Sequence, residues 1–152
     1  MILQAQRRQH FLHCEDRSPY TGFPTDSESE LRLYTELLIE GMESGRYAYI
    51  AHPDLINFIG DRQVYDEQMK RVCRYLKSRN IPVEINMLGV REGRHYTSEH
   101  FLEIAKECGN SVIIGCDAHY PEALDDRENL AKCLALAEKY SLPVVDFLTG
   151  LE

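Results

Sequence analysis

Asp117 and His119 stand two residues apart in the stretch IIGCDAHYP, immediately after a short apolar run. An acid and an imidazole in that position are both able to bind a metal ion. His52 follows another apolar run in YIAHPDL, and Asn86 follows a third in PVEIN. Imidazole nitrogen and carboxylate oxygen together suit zinc, manganese or iron. Two such ions held close together lower the pKa of a bridging water and clamp a phosphoryl group during in-line attack, so the chemistry expected of this set is hydrolysis. Arg91, in NMLGVREGRHY, comes after a strand end on a Gly-containing loop, a place from which a guanidinium can grip a phosphate with two parallel hydrogen bonds.

Each of these residues has a plainer alternative. Asp117 could cap the segment that follows it. His52 could simply open a turn, since the following proline forces it out of helical geometry. Arg91 could be an ordinary surface arginine, and His10, His13, His95 and His100 could be solvated side chains. Cys116 reads as a packing residue, because no basic partner adjoins it in sequence to make a thiolate.

What raises the metal reading is where the elements put these residues. Short β-prone runs lie at Tyr47 to Ile50, Pro82 to Ile85, Ser111 to Ile114 and Pro143 to Phe147, each preceded by a segment with helical periodicity. The capping signal TDSESE opens a helix with Leu31, Tyr34, Leu38 and Met42 on one face and Gly45 just past its end. A second helix is expected over about Tyr65 to Arg79, with Met69, Val72, Cys73 and Leu76 inward. A third is expected from Ser98 to Cys108, ended by Gly109, and a fourth over about Asp125 to Tyr140 with Leu130, Leu134 and Ala137 inward. Alternation of helix and buried strand predicts an α/β fold with parallel strands. His52, Asn86, Asp117 and His119 then all fall at strand carboxyl ends, the functional face of barrels and open sheets alike.

The chain has 152 residues, enough for a single domain over 1–152 with a real core. Its net charge of -8 argues against binding nucleic acid, whose phosphates attract basic surfaces. No apolar run approaches the roughly 20 residues that span a bilayer, and the N-terminus lacks a signal-peptide core, so no membrane association and a cytoplasmic location are expected. Five cysteines without a CxxC pair suit reduced thiols better than a disulfide framework.

The motifs QHFL (Gln9 to Leu12), YIAHPDLINF (Tyr49 to Phe58), VEINMLGVREGRHY (Val83 to Tyr96) and IIGCDAHYPEAL (Ile113 to Leu124) occur in this order over nearly the whole chain. Together they resemble the C-terminal part of a PHP-type (polymerase and histidinol phosphatase) histidinol-phosphatase. The resemblance implies part of a distorted (β/α) barrel, with about four to five parallel strands and intervening helices. It also implies a metal-dependent phosphomonoesterase that hydrolyses L-histidinol phosphate to L-histidinol and phosphate in histidine biosynthesis. Carried onto matching positions, it makes His10, His52, Asp117 and His119 ligands of a multinuclear centre of divalent ions (zinc, manganese or iron). Asp117 and His119 serve the catalysis, and Arg91 binds the phosphate of a small phosphorylated metabolite. Cys116 stands where relatives usually carry serine, a departure that leaves the ligands intact.

A larger departure lies at the start, where the family's His-x-His motif and metal-bridging glutamate have no counterpart before QHFL. Four or five strands cannot close a barrel. The expectation is therefore a shortened chain, or a homodimer or swapped assembly that completes the barrel, with weak or no turnover by the chain alone. Two alternatives stay open: an inactive remnant kept as a metal-binding or interaction module, and a PHP enzyme for another phosphate ester.

Overall fold

The computed structural model describes residues 21–146 and 148. Its first helix, α1 (Glu28–Glu43), starts where the capping signal predicts: the Ser27 side chain accepts the Glu30 N–H. Leu31, Tyr34, Leu38 and Met42 are buried along it, at helical spacing. That stripe packs on α2 (Arg62–Ser78), capped by Asp61 and burying Met69, Val72, Cys73 and Leu76. Inside this apolar seam the buried Thr35 hydroxyl lies 3.0 Å from both the Gln68 side-chain oxygen and the Arg32 carbonyl, so it has hydrogen-bond partners there.

Asn80 turns the chain out of α2 in a left-handed conformation (φ 53°) and into strand β1 (Val83–Asn86), which is buried throughout. The chain then passes through α3 (Met87–Glu92) and α4 (Glu99–Glu107) to β2 (Val112–Gly115), parallel to β1 in the register Val83–Val112 through Asn86–Gly115. Gly109, at φ 73°, ends α4 as the sequence predicts. A short 3₁₀ turn (Pro121–Asp125) and α5 (Arg127–Lys139) follow, and Val144 then bridges Val112 in parallel, with Val112 N–H on Pro143 O and Val145 N–H on Val112 O, both 2.8 Å. Among the described residues no helix is long and apolar enough to cross a membrane.

Three local expectations are corrected. Tyr47 to Ile50 is not in a ladder: Tyr49 and Ile50 are buried, but the N–H of His52 just beyond is taken by the Glu84 carboxylate at 2.6 Å, a side chain standing where a neighbouring strand would offer a carbonyl. Arg91 lies not on a loop but in the last turn of α3, which forms because the Asn86 side chain accepts the Gly89 N–H (2.9 Å) and Gly93 closes the helix at φ 60°. Leu130 and Leu134 of α5 face outward, and Asn129, Cys133 and Ala137 face inward. The smaller stripe faces the interior on a helix that contacts both strands, since small side chains allow closer approach to a sheet.

Candidate active site

Glu84 sits in β1 between the apolar Val83 and Ile85, 2% exposed. Such a group is tolerated only when hydrogen-bonded. It accepts the His52 N–H at 2.6 Å and the Asn86 side-chain amide at 2.9 Å, and Tyr49 is its electrostatic neighbour. Space for it comes from the neighbouring strand: a Cβ on Gly115 would lie 1.7 Å from Glu84 Oε1. Burial pushes the Glu84 carboxyl up to about 7 against the pull of the Asn86 and His52 hydrogen bonds, with the charge of Asp117 adding to the rise. The Tyr49 phenol is raised as well, first by its own burial and then by Glu84.

Asn86 carries this cluster to the carboxyl ends of the strands. Its amide nitrogen also reaches Asp117 Oδ2, at 3.4 Å. Asp117 occupies the left-handed region (φ 49°), which Asp tolerates better than most residues, and its side chain is 17% exposed. The alternative that Asp117 caps the next segment fails, because the 3₁₀ turn starts after Tyr120 with no side-chain cap, and α5 is capped by Asp126, whose carboxylate accepts the Asn129 N–H. His119 folds back on the same loop, Nδ1 lying 2.8 Å from the Asp117 carbonyl and 3.9 Å from its Oδ1. His52 is also left-handed (φ 34°), and its ring lies 5.1 Å from that of Tyr96.

Arg91 reaches the segment that carries His119. Its guanidinium lies 5.1 Å from the Tyr120 ring centroid, 3.9 Å from Asp126 and 3.4 Å from Glu92. It is therefore not a freely solvated surface arginine: two carboxylates and a ring aim it at the loop after β2. Hydrogen bonds from Asn129 hold the Asp126 carboxyl below the usual range, with Arg91 contributing.

Asp117, His52, Asn86 and Arg91 thus gather around the carboxyl ends of β1 and β2, and His119 sits at the exposed rim, 65% accessible. His10 lies outside the described residues. Asp117 and His119 carry donor types that divalent ions take, and His119 Nδ1 engages the Asp117 carbonyl. Further donors are needed: among the described residues no group of three or more His, Cys, Asp or Glu side chains could hold a metal. Cys116 hydrogen-bonds the Ala123 carbonyl (3.1 Å), in keeping with a packing role.

Sequence reasoning missed Glu84 and Tyr49, although an acid inside the run PVEI was a visible signal. The solvated reading of His95 and His100 also fails. His95 Nε2 lies 2.6 Å from the Leu55 carbonyl, and His100 Nε2 lies 2.6 Å from Asp66. Both rings line a cleft of about 200 Å³ with Asp54, Phe58 and Tyr65. Asp54, 2% exposed, accepts the Ser98 N–H there at 2.7 Å, and burial pushes its carboxyl up to about 6.

The sequence is 29% identical over 124 residues to a protein named probable phosphatase from Aliivibrio fischeri (strain ATCC 700601 / ES114), covering 79% of this chain and 45% of that one. The chain is similar to bacterial proteins of that name. Another, from Photobacterium profundum, is 27% identical over 119 residues (76% of this chain, 44% of the relative), and one from Shewanella piezotolerans is 26% identical over 124 (80% and 46%). This chain spans somewhat less than half the length of these relatives. No family model matches it, and no solved structure matches it.

Proposed function

We propose that this chain contributes to a metal-dependent phosphomonoesterase of the PHP histidinol-phosphatase type, acting on L-histidinol phosphate. The observation that carries the reading is that Asp117 and His119 stand together on the loop after β2, while Arg91 reaches from α3 to Tyr120 and Asp126 of the same segment. The similarity to proteins named probable phosphatase supports a phosphate ester as substrate, and the GVREGRHY motif favours histidinol phosphate among such esters.

In this reading Arg91 holds the phosphate dianion, its loose 3.9 Å pairing with Asp126 leaving guanidinium N–H groups to bind it. Asp117 and His119 hold the divalent ion, joined by His52, by His10 and by donors from a longer protein or a second copy. When bound, zinc, manganese or iron would polarise the phosphoryl oxygens and favour ionised water at neutral pH. Glu84 and Asn86 fix the loop geometry: Asn86 ties Asp117 to β1, and Glu84 pins the backbone of His52.

A second reading, an inactive remnant that serves as a metal-binding or interaction module, is favoured by the lack of a three-donor cluster among the described residues. Phosphate release from L-histidinol phosphate with added manganese or zinc, run beside elemental mass spectrometry, separates the two. The enzyme reading expects bound metal and weak but measurable release, both lost in Asp117→Ala and His119→Ala, with KM raised in Arg91→Ala. Bound metal without release would support the remnant instead.

A further inference from the structure

The loop from Asp54 to Gly60, the first turn of α2 and the segment from His95 to His100 border the cleft of about 200 Å³, which the proposed hydrolysis does not use. Asp54 lines this cleft while only 2% exposed. Its Oδ2 accepts the Ser98 N–H at 2.7 Å, but among the described residues Oδ1, also buried, has no hydrogen-bond partner. A buried carboxylate oxygen in that state is costly, and a donor placed against it offsets the cost.

The other side chains of the cleft are already engaged. Phe58 and Tyr65 present nearly parallel rings, 11° apart in plane and 6.5 Å between centroids, and the Tyr65 ring meets that of His100 at 5.7 Å. Arg62 can only donate, and its Nη2 lies 2.8 Å from His100 Nδ1; the His100 Nε2–H therefore donates to Asp66, 2.6 Å away. The imidazole is then neutral, and the Arg62 side chain, 71% exposed, is shared with Glu103 at 3.8 Å. His95 Nε2 is taken up by the Leu55 carbonyl. What these groups leave unmet is the Asp54 oxygen, beside an aromatic wall.

We propose that this cleft binds a small organic ammonium ion, a primary amine on an aromatic or apolar body. The ammonium donates to Asp54 Oδ1, and the body packs on Phe58 and Tyr65, whose ring faces also attract a cation. A charged donor suits this acceptor better than a neutral one, because opposite charges attract most strongly where water is excluded. A metal ion fits less well, since no group of three or more His, Cys, Asp or Glu side chains among the described residues could hold one. The volume is below the roughly 300–1,000 Å³ of most ligand pockets, so the ligand is small. The Tyr96 ring, 5.1 Å from that of His52 and 5.3 Å from that of His95, links the cleft to the candidate active site. The amine site itself needs neither metal nor phosphate ester, so it stands apart from the hydrolytic reading.

The test is calorimetric titration of the full chain at neutral pH with benzylamine, an ammonium on an aromatic body, beside benzyl alcohol, the same body without the charge. Benzylamine should bind saturably at one site, about tenfold or more tighter than benzyl alcohol. Asp54→Asn, which keeps an oxygen for the Ser98 N–H, should weaken benzylamine about tenfold or more and leave benzyl alcohol unchanged, whereas Phe58→Leu should weaken both. Should Asp54→Asn fail to fold, the comparison of amine with alcohol and the Phe58→Leu variant decide. No saturable heat from benzylamine, as from a cleft that water alone fills, or equal binding of amine and alcohol would overturn the proposal. So would binding that survives Asp54→Asn and is lost in Asp117→Ala, which places the amine at the candidate active site instead.

Discussion

Gly115 illustrates how a residue with no side chain sets the chemistry of its neighbours. Its missing Cβ is the space that Glu84 occupies, and Glu84 in turn gathers His52 and Asn86. Gly115→Ala would force the carboxylate out of its pocket and break those bonds, since a contact of 1.7 Å cannot be absorbed by small shifts. The expected loss is about 2 kcal/mol or more, read as a lower urea midpoint; an unchanged midpoint would show that the carboxylate can move at little cost. The substitution is also expected to weaken any phosphatase activity, because His52 and Asn86 lose their shared anchor.

The elements show where local signals suffice. Ser98 caps α4 by accepting the Phe101 N–H at 3.1 Å, and its own N–H is held by Asp54. Ser98→Ala removes only the first of these, so thermal or urea unfolding should show a loss of about 1 kcal/mol, the usual worth of such a cap. No measurable change would mean that the packing of Phe101 and Leu102 holds the first turn unaided. The helix boundaries around Ser27, Ser98 and Gly109 were legible because caps act over three or four residues. The inward face of α5 was not: hydrophobicity favours Leu130 and Leu134, but contact with two strands selects the slimmer Cys133 and Ala137.

At the scale of the molecule, the described residues form a two-stranded parallel sheet, extended at Val144, with helices packed on it. Leu124, Leu130 and Leu134 are exposed on the segment after β2. If a second copy supplies further donors to the proposed metal site, the protein is expected to appear as a dimer in size-exclusion chromatography with light scattering. The mass of a single chain would remove the second copy and leave a longer protein as the source.

The sequence by itself determined the four longer helices, the strands β1 and β2 and the placement of Asp117 and His119 just past a strand end, but not α3 or the irregular backbone of Tyr47 to Ile50, because periodicity, caps and apolar runs act between near neighbours. Only the tertiary structure decided what those residues touch. Glu84 filling the space beside Gly115 and Arg91 held between Asp126 and Tyr120 both join residues about 30 positions apart. Such contacts depend on how the elements pack and leave no periodic mark in the chain.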